Sequence, residues 1–219
     1  MAVTLNASTS SGLVQTADTS GTVEIQSNGT TRLTVASGGV TTTGNTSIAN
    51  LTATGTFGGG VITSGTAVSA SNTSVDFISI PSWVKRITVM FDEVSTNGTS
   101  LPAIQLGDSG GVETTGYNAG SSLFTPTGIG TSVYTTSFTI RTDAVASTLM
   151  SGSITFSLLS SSTNTWVASG IVRCPTPSAY MSAVSGAKSL SATLDQVRIT
   201  TVNGTDTFDA GTINILYEG

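Results

Sequence analysis

The side chains able to do acid–base or nucleophilic chemistry are few and poorly matched to one another. Serines abound, but the chain has no His, so Ser-His-Asp and Cys-His nucleophile systems lack their base and His-ligated zinc lacks its ligand. The lysines, Lys85 and Lys188, could in principle serve a Ser-Lys pair, but Lys85 alternates outward on an expected strand. The string Gly107-Asp108-Ser109-Gly110-Gly111 has the letters found around a serine-protease nucleophile, which without His reflect only a Gly/Ser-rich composition. Asp92-Glu93 and Asp206-x-x-Asp209 are the carboxylate pairs that glycoside hydrolysis would require. Each lies close to an Asn-Gly turn, where carboxylates ordinarily act as solvated turn formers. Asn203, Asp206 and Asp209 also offer oxygen ligands of the kind Ca²⁺ takes, without EF-hand spacing. The expectation is a protein that is not an enzyme and needs no metal or cofactor. Cys174, the single cysteine, offers no intrachain disulfide and reads as a buried structural thiol.

Recognition is the chemistry left. Tyr117 and Phe124 fall in the segment Gly107–Thr131, and Tyr180 falls in Pro175–Ser191. Both segments read as long connections, the first holding Gly repeatedly and the second little charge, and long connections carry function. A ring in such a loop can stack on a sugar while Asn118 and nearby Ser and Thr hydrogen-bond its hydroxyls. Tyr117, Asn118, Phe124 and Tyr180 are therefore the candidate receptor-binding residues. The competing reading pins these rings into the domain's own surface.

The elements that must position them follow from composition and pattern. Charged residues are 9% of the chain against 37% hydrophobic, with a formal net charge of −5. That balance argues against a nucleic-acid partner, which requires clustered Lys and Arg. No apolar run reaches the ~18 residues of a membrane span, so no membrane insertion is expected. The start MAVTLNASTS lacks the basic and apolar regions of a secretory signal, which points to synthesis in a reducing cytosol. Thr, Val and Ile are β-branched and suit a pleated surface, so the fold class is all-β.

Residues 1–60 form one region and 61–219 another. The first holds short alternating pieces at 22–26, 32–35 and 47–53, separated by Asn28-Gly29 and Ser37-Gly38-Gly39. Strands this short cannot bury a core in a monomer. An intertwined trimeric β-shaft solves that problem; a Ser/Thr/Gly-rich flexible linker is the alternative. Gly58-Gly59-Gly60 reads as a hinge. Beyond it, strands are expected at 76–80, 85–91, 103–106, 132–141, 153–159, 165–173, 194–202 and 212–217. Their turn-separated alternation, with Ile87, Val89 and Phe91 facing one way, predicts an antiparallel β-sandwich head, jelly-roll-like in type. Trp83 is expected in a core or at an edge.

The blocks IPSWVKRITVMFDEVSTNGTS (80–100), IQLGDSGGVETTGY (104–117) and LDQVRITTVNGTDTFDAGTINILYEG (194–219) resemble segments of tail-fibre and related virion proteins of tailed bacteriophages. The stretch NASTSSGLVQTADTSGTVEIQSNGTTRLTV (6–35) is similar to low-complexity shaft segments of phage fibres. The resemblance implies a homotrimeric virion fibre, made in the bacterial host cytoplasm. Its N-terminal stalk would join another virion protein, and its distal head would meet a host-surface receptor, expected to be a glycan. A capsid decoration or head-fibre protein, bound by its N-terminus and without a primary receptor role, is the alternative.

Overall fold

The computed structural model describes residues 22–36, 39–42, 62–175 and 180–219. The chain divides into two compact units, Met1–Thr54 and Gly55–Gly219. The expected strand at 47–53, the Gly58–Gly60 hinge and the boundary at residue 60 lie outside the described residues.

In the first unit, β1 (Val23–Ser27), β2 (Thr30–Ala36) and β3 (Gly39–Thr42) form an antiparallel meander. Asn28 and Gly29 both take positive φ, 51° and 71°, as the two-residue type I′ hairpin turn demands. Gly39, read from sequence as part of a turn, instead begins the third strand. The register sorts the side chains by face. Val23, Val35 and Val40 lie in one cross-strand row and Ile25, Leu33 and Thr42 in the next. Glu24 occupies the opposite face, where its carboxylate accepts hydrogen bonds from Gln26 at 3.3 Å and Thr31 at 3.1 Å. The meander is therefore apolar on one side and polar on the other.

The second unit continues with β4 (Ile62–Ser64), β5 (Val68–Ser69), β6 (Val75–Phe77), β7 (Arg86–Thr96), β8 (Pro102–Asp108), β9 (Gly111–Val112) and β10 (Tyr117–Thr125). After these come β11 (Gly128–Tyr134), β12 (Phe138–Thr139), β13 (Met150–Ser160), β14 (Thr165–Cys174), β15 (Tyr180–Ser189), β16 (Leu194–Thr201) and β17 (Phe208–Glu218). The larger sheet runs β11-β10-β15-β14-β13-β7-β17-β4, with β5 also pairing β17. The smaller runs β12-β8-β16-β6, with β9 on β8. One continuous core fills the space between them, so this unit is an antiparallel β-sandwich. Ile87, Val89 and Phe91 are buried as their alternation predicts, each contributing ~1.5–3 kcal/mol by leaving water. Phe138 of the smaller sheet lies edge-on to Tyr117 and to Phe156 of the larger, 5.2 Å between ring centroids in both pairs. Trp166 is buried in the core, whereas Trp83 is exposed and packs at the chain's end against Gly219.

Two expectations need correction. The single strand expected at 132–141 is two, β11 and β12, one in each sheet, because the chain crosses the sandwich between Tyr134 and Phe138. More consequential, much of the two long connections is strand: β10 and β15 pair through eight residues, from Tyr117–Lys188 to Phe124–Met181. Their Gly, Ala and Ser residues resemble loop composition, yet they permit close backbone approach. A Cβ on Gly186 would sit 2.4 Å from the Asn118 carbonyl oxygen.

Candidate functional site

Strand parity separates the four candidate receptor-binding residues. On β10, Tyr117, Ala119, Ser121 and Leu123 point between the sheets, while Asn118 and Phe124 point outward. Tyr117 is only 3% exposed. Its hydroxyl accepts the Leu106 amide at 2.8 Å and donates to the Glu113 carbonyl at 2.9 Å, and burial pushes its pKa well above the ordinary phenol value. Tyr117 is thus a core anchor and is withdrawn as a receptor contact, because its ring and hydroxyl are both satisfied inside the sandwich. Tyr180 opens β15 on the inward face and packs, half-buried, against the core. It does not project into solvent as a loop tyrosine would. Asn118 and Phe124 remain exposed, but six residues of strand hold them ~20 Å apart. The structure does not bring the four together.

The residues considered for catalysis are engaged structurally. Lys188 is buried under the aromatic cluster, its Nζ 5.4 Å from the Tyr117 ring centre. It donates to the Glu113 carboxylate and, at 2.8 Å, to the Ser189 carbonyl. The other Glu113 oxygen accepts the Ser191 amide at 2.7 Å. Burial opposes ionisation of Glu113, but the hydrogen bonds from Lys188 and Ser191 outweigh it and hold its pKa below the usual value. The Ser191 hydroxyl donates to Asp108 at 2.6 Å. That bond, followed by the Gly110 amide, lowers the Asp108 pKa. A serine and a lysine three residues apart are therefore present, yet each is committed to a carboxylate. The cluster clamps the turn between β8 and β9 to the connection after β15. It could be anticipated only by knowing that residues 108–113 and 188–191 meet.

The carboxylate pairs resolve in the same way. Asp206 accepts from the Ser100 amide at 2.8 Å and from the Asn203 side chain at 2.7 Å, Asn203 being the larger cause of its lowered pKa. Asp209 accepts instead from Ser95 at 2.5 Å. Asp92 and Glu93 lie within β7, where the register shifts and Glu93 takes a φ of 52°. Among the described residues, no group of three or more His, Cys, Asp or Glu could hold a metal ion. No helix there is long and apolar enough to cross a membrane. Cys174 is a buried thiol whose pKa burial pushes up to about 12.

A groove better suited to a ligand opens along one side of the sandwich, between β5 and β6, with a volume of about 420 Å³. That falls within the ~300–1,000 Å³ of small-molecule sites. Tyr217 and Phe77 line it, each resting partly on the core. Ser69, Ser71, Asn72 and Ser74 supply hydroxyl and amide groups. Burial is the cause of the raised Tyr217 pKa, so the phenol stays neutral. Asp76, also in the groove, is held by Arg198 through paired bonds of 2.7 and 2.9 Å. The groove therefore joins two aromatic rings to neutral hydrogen-bonding groups with its one carboxylate already paired. Sequence reasoning missed it because its residues come from short edge strands and from the chain's end.

Compared with protein-family models, with curated proteins and with solved structures, the chain matches none.

Proposed function

We propose that this chain is a structural fibre protein of a tailed-bacteriophage virion, homotrimeric, attaching the particle to a neutral host-surface glycan through its β-sandwich. The observation that carries the reading is the apolar face of the β1–β3 meander. Ile25 is 50% and Val40 66% exposed, on a sheet of three short strands with no second layer among the described residues of its unit. A single chain gains little from burying such a face. Two meanders facing each other would leave their core open at both sides. Three close a triangular prism, with each free strand edge beside a neighbour's. The likeness of 80–100 and 194–219 to phage-fibre segments supports the virion assignment, and in the fold these blocks adjoin through the pairing of β7 with β17.

The ligand class follows from the groove beside β6. Rings that stack and neutral hydroxyl and amide groups that exchange hydrogen bonds suit a sugar, with no free charge to favour an ionic ligand. Three equivalent weak sites on one particle appendage act at high effective concentration.

Sedimentation velocity of the full chain tests the assembly. A trimer is expected at micromolar concentration, and Val35→Lys with Val40→Lys should release monomers. A wild-type monomer would overturn the proposal. Labelled electron microscopy of virions should place the protein on a fibre distal to its anchor; a capsid location without host-cell binding would replace the attachment role with decoration.

A further inference from the structure

The larger sheet carries a second apolar face, on the sandwich unit itself. At its β11 end the outward side chains align across strands. Ile129, Phe124, Met181 and Arg173 form one row, Ser122, Ala183 and Ile171 the next, and Val133, Gly120, Ser185 and Ser169 a third. Val133 is 87% and Ile129 65% exposed, and Ile171, Met181 and Phe124 are exposed as well. A fully exposed side chain of this size presents roughly 150–200 Å², so the five together offer on the order of 500 Å². That approaches the largest apolar patch a soluble monomer ordinarily tolerates.

The edge of the sheet has the same character. β11 is the terminal strand, and its seven residues, GIGTSVY, include no charge and no Pro. Natural edge strands are guarded by Lys, Pro, bulges or a covering element. The pairing of β11 with β10 runs through seven residues without a register shift, so no bulge turns this edge away.

We infer that this face and the β11 edge are covered by a second copy of the same chain, forming a subunit contact within the head. The inference rests on the oligomeric reading above and places a second interface on the sandwich. Two observations select a copy of the chain over a foreign partner. Only Arg173, at the border, brings charge to these three rows, so the patch lacks the charge pattern by which unlike partners are steered and discriminated. The area also fits: three such faces meeting around a common axis remove about 1,500 Å² together, on the scale of a specific interface. Phe124 becomes a subunit contact in place of a receptor contact.

Hydrogen exchange on the full-length protein tests the contact strand by strand. In the wild-type oligomer, β11 amides should exchange at least tenfold more slowly than in the Ile129→Lys/Val133→Lys double variant. Both side chains face solvent in the single chain, so the double variant should fold and keep the near-ultraviolet signature of buried Trp166. Its oligomer should dissociate at least tenfold more readily on dilution, while Val202→Lys, exposed elsewhere on the sandwich, should behave as wild type. A wild-type trimer whose β11 amides exchange freely would overturn this inference and leave the fibre proposal standing. A wild-type monomer would overturn both. Protection of β11 that arises only on adding a neutral oligosaccharide would reassign the face to ligand and also overturn the inference. The wild-type exchange pattern decides the matter even if the double variant fails to fold.

Discussion

At the scale of single residues, the chemistry of this chain is mostly committed to holding it together. Lys188 shows why. Buried beneath Tyr117, it donates hydrogen bonds to the Glu113 carboxylate and to the Ser189 carbonyl. Glu113→Gln leaves that cation without a counter-charge and should cost about 3 kcal/mol in denaturant unfolding. Lys188→Met should cost less, because the remaining carboxylate is partly exposed and can turn to water. The pKa directions fix a pH dependence. Asp108 and Glu113 have folded pKa values below their ordinary ones, so their contribution is fully present above the unfolded values near 4. It is lost as pH falls through the folded values. Thermal unfolding should therefore be flat from pH 7 to 5 and fall steeply below about pH 4, less steeply in Glu113→Gln. In the groove, Tyr217→Phe keeps the ring on the core and removes only the hydroxyl. Affinity for neutral host-surface oligosaccharides, read by calorimetry, should fall about 3- to 10-fold, the worth of one hydrogen bond.

At the scale of elements, β10 and β15 turn an otherwise narrow sheet into one wide enough to carry an outer face. Their pairing depends on close backbone approach at Gly186, whose φ of 150° and 2.4 Å clearance to Asn118 leave no room for a methyl group. Gly186→Ala should destabilise the sandwich by about 1–3 kcal/mol. Exchange of β10 amides should rise before that of β7, which is braced on both sides by β13 and β17. The same two strands explain what sequence reading missed. Tyr117, Ala119, Ser121 and Leu123 alternate inward, but Gly120 and two serines stand between the large residues, so the pattern looks like loop. Their strand character comes from partners some sixty residues away, which no local window contains. By contrast, Asn28-Gly29 and the run from Arg86 to Phe91 were legible because turn chemistry and period 2 are local.

At the scale of the whole molecule, two apolar faces nearly free of charge are exposed among the described residues, one on each unit, with no disulfide and few ion pairs there. The exposed Arg86–Glu218 and Arg198–Asp76 pairs are worth at most ~1 kcal/mol each, so salt bridges do not supply the missing stability. Association should. In the proposed trimer copies bind the folded chain and not the unfolded one, so the midpoint of thermal unfolding should rise with protein concentration. Calorimetry over a hundredfold concentration range should show the shift, and Val35→Lys with Val40→Lys should abolish most of it.

The sequence by itself determined the all-β class, the change of character after the first sixty residues, the first hairpin turn and the buried face of β7. Each follows from a local property: β-branching, turn residues with φ > 0, or alternation along a single strand. It also determined that the chain holds no His, a fact that no fold can alter. Only the tertiary structure decided which aromatic residues are available. Tyr117 and Phe124 lie on one strand seven positions apart, yet opposite parity sends the first into the core and the second to the surface. The partnering of Lys188 with Glu113 and the groove joining Tyr217 to Phe77 were likewise decided there, because side chains distant along the chain become neighbours only when the two sheets close on one core.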